Sequence, residues 1–353
     1  MLKIEQVRLL VHLKQYSVAN KEICEMFADG CSLRPMLRYR YISYGNGIYR
    51  LLKKGFEMTE HIQPLITVSG NTEVIERALK TSRLAAIFAN LGIQSAGVLR
   101  ENVFIPSNKW REIRDGITST ARFNGMLCYR GMRLAVYDIG DGDMEWQKFA
   151  EGSLFFRKYG TYENRATGML MVCDGDPVCI AETILRYTIS KRKELLKRTK
   201  LETDKKWAYS LKPICVKENY EKVYITDKNN IAETLRLAEC EQEFLEYFID
   251  SLQGKNAARD GYDIDVHPSR YFVNPQGDLL KFAKLYDTVK NMVEFHKSET
   301  AKQFPGPDIK YHVLVSKRFE RLAKLYDLPV YYTVVDDNLI KEIIENGTDY
   351  EKH

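Results

Sequence analysis

Between Cys31 and Phe56 the chain carries Arg34, Arg38, Arg40, Arg50, Lys53 and Lys54 without one acid, interleaved with Tyr39, Tyr41, Tyr44 and Tyr49. Cations at that density suit phosphate. Each Lys or Arg that neutralises a phosphate releases a counterion, and tyrosine hydroxyls supply further backbone contacts. Double-stranded DNA is therefore the expected partner, with Arg34, Arg38, Arg40, Tyr44, Tyr49, Arg50, Lys53 and Lys54 as the contacting residues. The plainer reading of the same stretch is a solvated face on a protein-binding module.

A second chemistry is suggested by Asp138, Asp141, Asp143 and Glu145, followed by Glu151, Asp174 and Asp176. Carboxylates at the ends of neighbouring strands can hold Mg²⁺ and position a water for phosphodiester cleavage, which makes a nuclease or nicking enzyme the alternative function. Spacing weighs against it, because the run Gly168 to Cys173 contains no Glu-x-Lys. The acids lie in Ile139-Gly140-Asp141-Gly142 and Asp174-Gly175-Asp176-Pro177, where Asp hydrogen-bonds its own backbone and caps helices. Structural turns are the expectation, with no metal ligand and no catalytic residue assigned. A tyrosine nucleophile would need a nearby His cluster, and none accompanies Tyr39, Tyr41 or Tyr44. The six histidines are isolated and the seven cysteines form no CxxC, so neither a zinc site nor a disulfide framework is expected. Cys128, Cys173 and Cys179 read as small buried hydrophobes. Phosphate-loop and dinucleotide fingerprints are absent, and no cofactor is expected.

The basic stretch needs a scaffold. Ile4, Val7, Leu10 and Val11 recur at helical spacing, and Asn20 can cap a short helix through Ile23, Met26 and Phe27. Ile48, Leu51 and Leu52 then suggest a third helix ended by Gly55, and Phe56 to Met58 with Leu65 to Val68 a hairpin. Helix, helix, helix, hairpin is the order of a winged helix-turn-helix. Residues 71–91 read as a connector helix.

Beyond it the pattern turns to strands at Val103 to Ile105, Phe123 to Tyr129 and Arg133 to Ile139, the last two joined at Arg130-Gly131. Trp146, Phe149, Ala150, Ser153 and Leu154 mark a helix that would bury Trp146. Gly168 to Cys173 is a strand, Pro177 opens a helix, and a Lys/Arg-rich arm covers residues 186–206. Val223 to Thr226 is another strand, Ile231 to Phe248 one long helix, and 254–263 a loop. Arg270 to Val273 and Leu279 to Phe282 read as a hairpin. Strand Tyr311 to Val315, helix Lys317 to Tyr326 and strand Val330 to Val335 form a crossover that favours a parallel pair.

The length of 353 residues leaves room for several units, and 44 % hydrophobic against 29 % charged residues excludes wholesale disorder. The expected fold is α+β: an N-terminal winged helix (1–70), a connector (71–100), an α/β core (101–255) and a C-terminal α/β region packed on it (256–353). A formal charge of +5 says little by itself, and the 22 tyrosines offer rings with a hydroxyl that reaches water or phosphate. The opening MLKIEQVRLL lacks the form of a signal peptide, and no apolar run reaches the roughly 18 residues a bilayer needs. A cytoplasmic protein without membrane contact is expected.

Thr81-Ser82-Arg83-Leu84-Ala85, Ala121-Arg122-Phe123-Asn124-Gly125-Met126-Leu127 and Ala135-Val136-Tyr137-Asp138-Ile139-Gly140-Asp141 with Met144-Glu145-Trp146 resemble landmarks of a mobile-element family. The family is encoded on conjugative and integrative elements of Gram-positive gut bacteria and is similar in layout to plasmid replication-relaxation proteins. The layout match covers most of the chain: an N-terminal winged helix, an Arg-rich connector, then a strand-rich domain with the Arg-Phe-x-Gly and Tyr-x-x-Gly-x-Gly-x-x-x-Trp landmarks. It implies a DNA-associated role in plasmid replication or transfer. The expected function is therefore that of a non-enzymatic DNA-binding protein of a mobile element, the remainder of the chain serving assembly with a second copy or with transfer or replication proteins. The resemblance carries over no catalytic residue.

Overall fold

A computed structural model describes residues 2–27, 32–68, 70–98, 100–113, 123–140, 167–189, 222–257, 262–298, 309–325 and 329–349. The expected Trp146 helix, the acids Asp141, Asp143, Glu145 and Glu151, and most of the basic arm at 186–206 lie outside these residues. The chain divides into two compact units, Met1–Asp138 with Tyr159–Ala166, and Ile139–Lys158 with Thr167–His353. It is mixed α and β, and among the described residues no helix is long and apolar enough to cross a membrane.

The first unit opens with helices α1 (Ile4–Tyr16), α2 (Lys21–Phe27) and α3 (Arg34–Arg38). Asn20 starts α2 as its residue type suggested, its Oδ1 accepting the Ile23 amide at 2.9 Å. Strands β1 (Ile42–Gly45) and β2 (Ile48–Leu51) follow as an antiparallel hairpin pairing Tyr44 with Tyr49. This corrects the helix expected at Ile48 to Leu52. Asn46 and Gly47 both have positive φ, at 52° and 76°, the geometry of a two-residue turn whose twist matches that of paired strands. Three apolar residues over five positions are too few to overrule that turn.

The segment expected as a hairpin is likewise different. Lys53–Met58 is helix α4, and residues 63–68 are not strand. Gly55 is not a left-handed terminator; it sits inside α4 because a Cβ there would lie 2.4 Å from the Tyr41 carbonyl oxygen and 2.8 Å from Leu51 Cδ2. Gly55→Ala is therefore expected to lower stability by about 1 to 3 kcal/mol in urea titration, although alanine ordinarily stabilises a helix interior. A stabilised variant would mean that α4 does not pack on the hairpin.

Helix α5 (Thr72–Asn90) begins at Asn71, whose side chain accepts from the Glu73 amide, and the expected connector is thus a helix. It also belongs to the first core, where Ala86, Leu79 and Ala89 pack with Leu9, Leu10, Leu13, Ile23, Met36, Ile42 and Leu51. Strands β3 (Gln94–Ser95), β4 (Val103–Pro106), β5 (Gly125–Tyr129) and β6 (Met132–Gly140) continue the unit, with α6 (Ser107–Ile113) after β4. β3 and β4 are parallel, while β4 with β5 and β5 with β6 are antiparallel. Arg130 and Gly131 turn the last hairpin with positive φ, as the sequence indicated.

In the second unit β7 (Gly168–Cys173) and β8 (Lys222–Asp227) are parallel, and Pro177–Ile189 is α7. The long helix expected from Ile231 to Phe248 is two, α8 (Ile231–Glu239) and α9 (Glu241–Leu252), meeting at Cys240. A five-stranded sheet contains β9 (Lys255–Asn256), β10 (Ile264–Val266), β11 (Ser269–Val273), β12 (Lys310–Ser316) and β13 (Val330–Val335). β12 and β13 run parallel, the arrangement their crossover favours. Leu279 to Phe282 is no strand but the first turn of α10 (Leu279–His296), started by Asp278, whose side chain accepts the Leu280 amide. Helix Lys317 to Tyr326 shrinks to a 3-10 turn and α11 (Glu320–Ala323); α12 (Asp337–Asp349) closes the described chain.

Candidate nucleic-acid interface

The basic stretch folds into three consecutive pieces of the first unit. Arg34 and Arg38 stand one turn apart on α3, whose Met36 is buried in the core between them. Arg40 follows in the left-handed region with φ 59°. Its amide bonds to the Leu37 carbonyl at 3.1 Å and that of Tyr41 to Met36 at 2.9 Å, the paired closure of a Schellman motif usually completed by glycine.

On the hairpin, Ile42 and Leu51 turn into the core while Ser43 pairs with Arg50. The Tyr44 and Tyr49 rings lie 4.7 Å apart, with Tyr44 57 % exposed. A bridge from Ala19 to Tyr49 fastens β2 to the segment between α1 and α2, with Tyr49 N–H donating to the Ala19 carbonyl at 2.7 Å. Lys53 and Lys54 open α4, and the Lys54 ammonium stands 4.7 Å from the Tyr41 ring and 5.8 Å from Tyr39. Arg34, Arg38, Arg40, Arg50, Lys53 and Lys54 are all exposed, and none has a carboxylate partner among the described residues.

Sequence spacing missed Lys14. It lies on α1, far from the stretch, yet its ammonium is 4.8 Å from the exposed Phe56 ring. Only the fold brings it alongside α4.

The acidic alternative fares differently. Asp138 is fully buried on β6, not in a turn, and both carboxylate oxygens are bound by Arg83: Nε to Oδ2 at 3.0 Å and Nη2 to Oδ1 at 2.6 Å. Its amide donates to Asn124 Oδ1 at 2.8 Å, and Asn124 Nδ2 reaches Thr81 Oγ1 at 3.4 Å. A carboxylate buried and held in this way by a guanidinium is already charge-paired. Asp176 accepts the Val178 amide at 2.9 Å at the start of α7, a capping role. Among the described residues, no three His, Cys, Asp or Glu side chains are placed to hold a metal. Cys128 and Cys173 are buried as expected, but Cys179 is exposed on α7, its thiol 3.0 Å from Asp176 Oδ2. That carboxylate raises the thiol pKa, the reverse of what a thiolate nucleophile needs.

Several of the residues behind the family resemblance that the structure describes meet in this same network. Thr81, Arg83, Asn124 and Asp138 are linked by the bonds above, while Ser82 bonds to His12 at 2.7 Å and to the Val18 carbonyl at 2.9 Å. Gly125 permits close packing, since a Cβ there would lie 2.6 Å from the Ile105 carbonyl oxygen. These described landmarks are core residues or bonded to them. No family model, no curated protein and no solved structure matches the chain.

Proposed function

We propose that the first unit carries a winged helix-turn-helix that binds double-stranded DNA, and that the protein serves as a non-enzymatic accessory factor in the replication or transfer of a mobile element. The observation that carries this reading is the set of six exposed cations, free of carboxylate partners among the described residues, displayed with exposed tyrosines on α3, the hairpin and α4. The order helix, bridge, helix, helix, hairpin supports this reading, in which β1 and β2 serve as the wing and α3 as the groove-facing helix. The mobile-element assignment is supported by the sequence resemblance alone.

Binding of the full chain to duplex DNA is expected to weaken steeply with salt. Changing Arg50, Lys53 and Lys54 together to Ala is expected to weaken binding to all sequences and flatten the log–log salt slope by up to about one unit per lost contact. Mobility shifts over a salt series measure both. An unchanged triple variant would remove the assignment, and no DNA binding at any salt would favour a protein-binding module.

A further inference from the structure

The first unit contains a cavity of about 470 Å³, the size that accepts one small organic molecule. Its apolar lining comes from Val7, Val11, Phe27, Ala89 and Ile93. Three polar side chains of α1, Arg8, His12 and Gln15, also line it, with Gln94 and Ser95 beside them. Arg8 and His12 stand one helical turn apart, their Cβ atoms roughly 6 Å from each other. Arg8 is exposed, lies 5.9 Å over the Phe27 ring and has no carboxylate partner among the described residues.

His12 is 4 % exposed, and its hydrogen bonding fixes its tautomer. The Ser82 hydroxyl gives its proton to the Val18 carbonyl, so Ser82 Oγ accepts from His12 Nε2 at 2.7 Å. Burial holds the ring neutral, pulling its pKa down to about 3. Nδ1 is then a lone-pair acceptor, and no described residue donates to it. The walls thus ask for hydrocarbon, Arg8 for an anion and Nδ1 for an N–H or O–H. We propose that this cavity binds a small apolar carboxylate, its acid paired with Arg8 and a hydrogen-bond donor about one helical turn away directed at His12 Nδ1.

Indole-3-acetate carries all three features and is the probe for calorimetric titration of the full chain. Tryptophol lacks the charge, and benzothiophene-3-acetate lacks the donor. Indole-3-acetate is expected to bind at least about tenfold more tightly than either. Arg8→Gln, an exposed change that leaves the core intact, is expected to abolish the preference over tryptophol while retaining that over benzothiophene-3-acetate. Ala89→Leu, which fills the cavity, is expected to weaken all three. Failure of indole-3-acetate to bind saturably at millimolar concentration would overturn the proposal, as would affinities that neither substitution moves.

Discussion

Asp138→Asn is expected to destabilise the first unit by about 3 to 5 kcal/mol, although the two side chains have the same shape. The carboxylate is 0 % exposed and Arg83 only 11 %, so the substitution removes the Asp138 charge from beside a guanidinium that water barely reaches. The amide can accept one of the two guanidinium bonds, but its NH₂ faces a second donor. Chemical denaturation measures the loss, and a value under about 1 kcal/mol would show that the pair is not held as described. Replacing both partners with apolar residues of similar volume is expected to recover part of the loss, because much of the penalty comes from removing one charge of a buried pair and keeping the other. The same experiment bears on nuclease chemistry: a Mg²⁺-dependent activity that disappears in an Asp138→Asn variant retaining full stability would revive it.

Asp278→Asn is expected to act in the opposite direction, stabilising the second unit above neutral pH. Asp278 is fully buried, and its pKa is pushed up to about 7 by burial first, with the Glu241 carboxylate adding to it. Its Oδ1 accepts the Val223 and Leu280 amides, both at 2.9 Å, and an asparagine can keep both bonds. Between the unfolded value of 3.8 and about 7 the folded protein holds a proton that the unfolded chain releases. Stability from this group is therefore full below pH 3.8 and falls as pH rises through the window, by about 1.4 kcal/mol per unit and up to about 4 kcal/mol in total. The variant is expected to exceed the parent in stability at about pH 8, with the gap closing towards about pH 4. Parallel pH profiles would defeat this account. His12 in the first unit slopes the other way: its lowered pKa means that the unfolded chain takes up a proton first, so stability falls as pH drops below about 6.5.

The legible parts of the sequence were those in which one local signal had no competitor. Arg130-Gly131 between two apolar runs marks a hairpin, Asn71 and Asn20 mark helix starts, and the spacing between Tyr311 and Val335 favours a parallel crossover. Where two local signals meet, apolar spacing alone misleads at two points. Asn46-Gly47 outweighs the short apolar run after it, and Asp278 behind Gly277 outweighs the strand-like look of Leu279 to Phe282. Both corrections follow from turn and cap chemistry visible in the residues themselves. By contrast, Arg83 with Asp138 is a pair 55 positions apart, and Lys14 beside Phe56 joins separate elements; neither has a local signature. The charge of the candidate interface was legible because it is contiguous, whereas the cavity beside α1 is assembled from three segments and was not.

Arg40 closes α3 in a backbone conformation that glycine adopts at little cost and a side chain adopts at a cost of roughly 1 kcal/mol. Mutation and drift acting on stability alone would carry that position towards glycine or asparagine. On the DNA-binding reading, an arginine there is a record of selection for something other than folding, and the position becomes a gauge. In descendants that had lost the need for a phosphate-binding face, residue 40 would be among the first to relax, and it would do so by making the protein more stable.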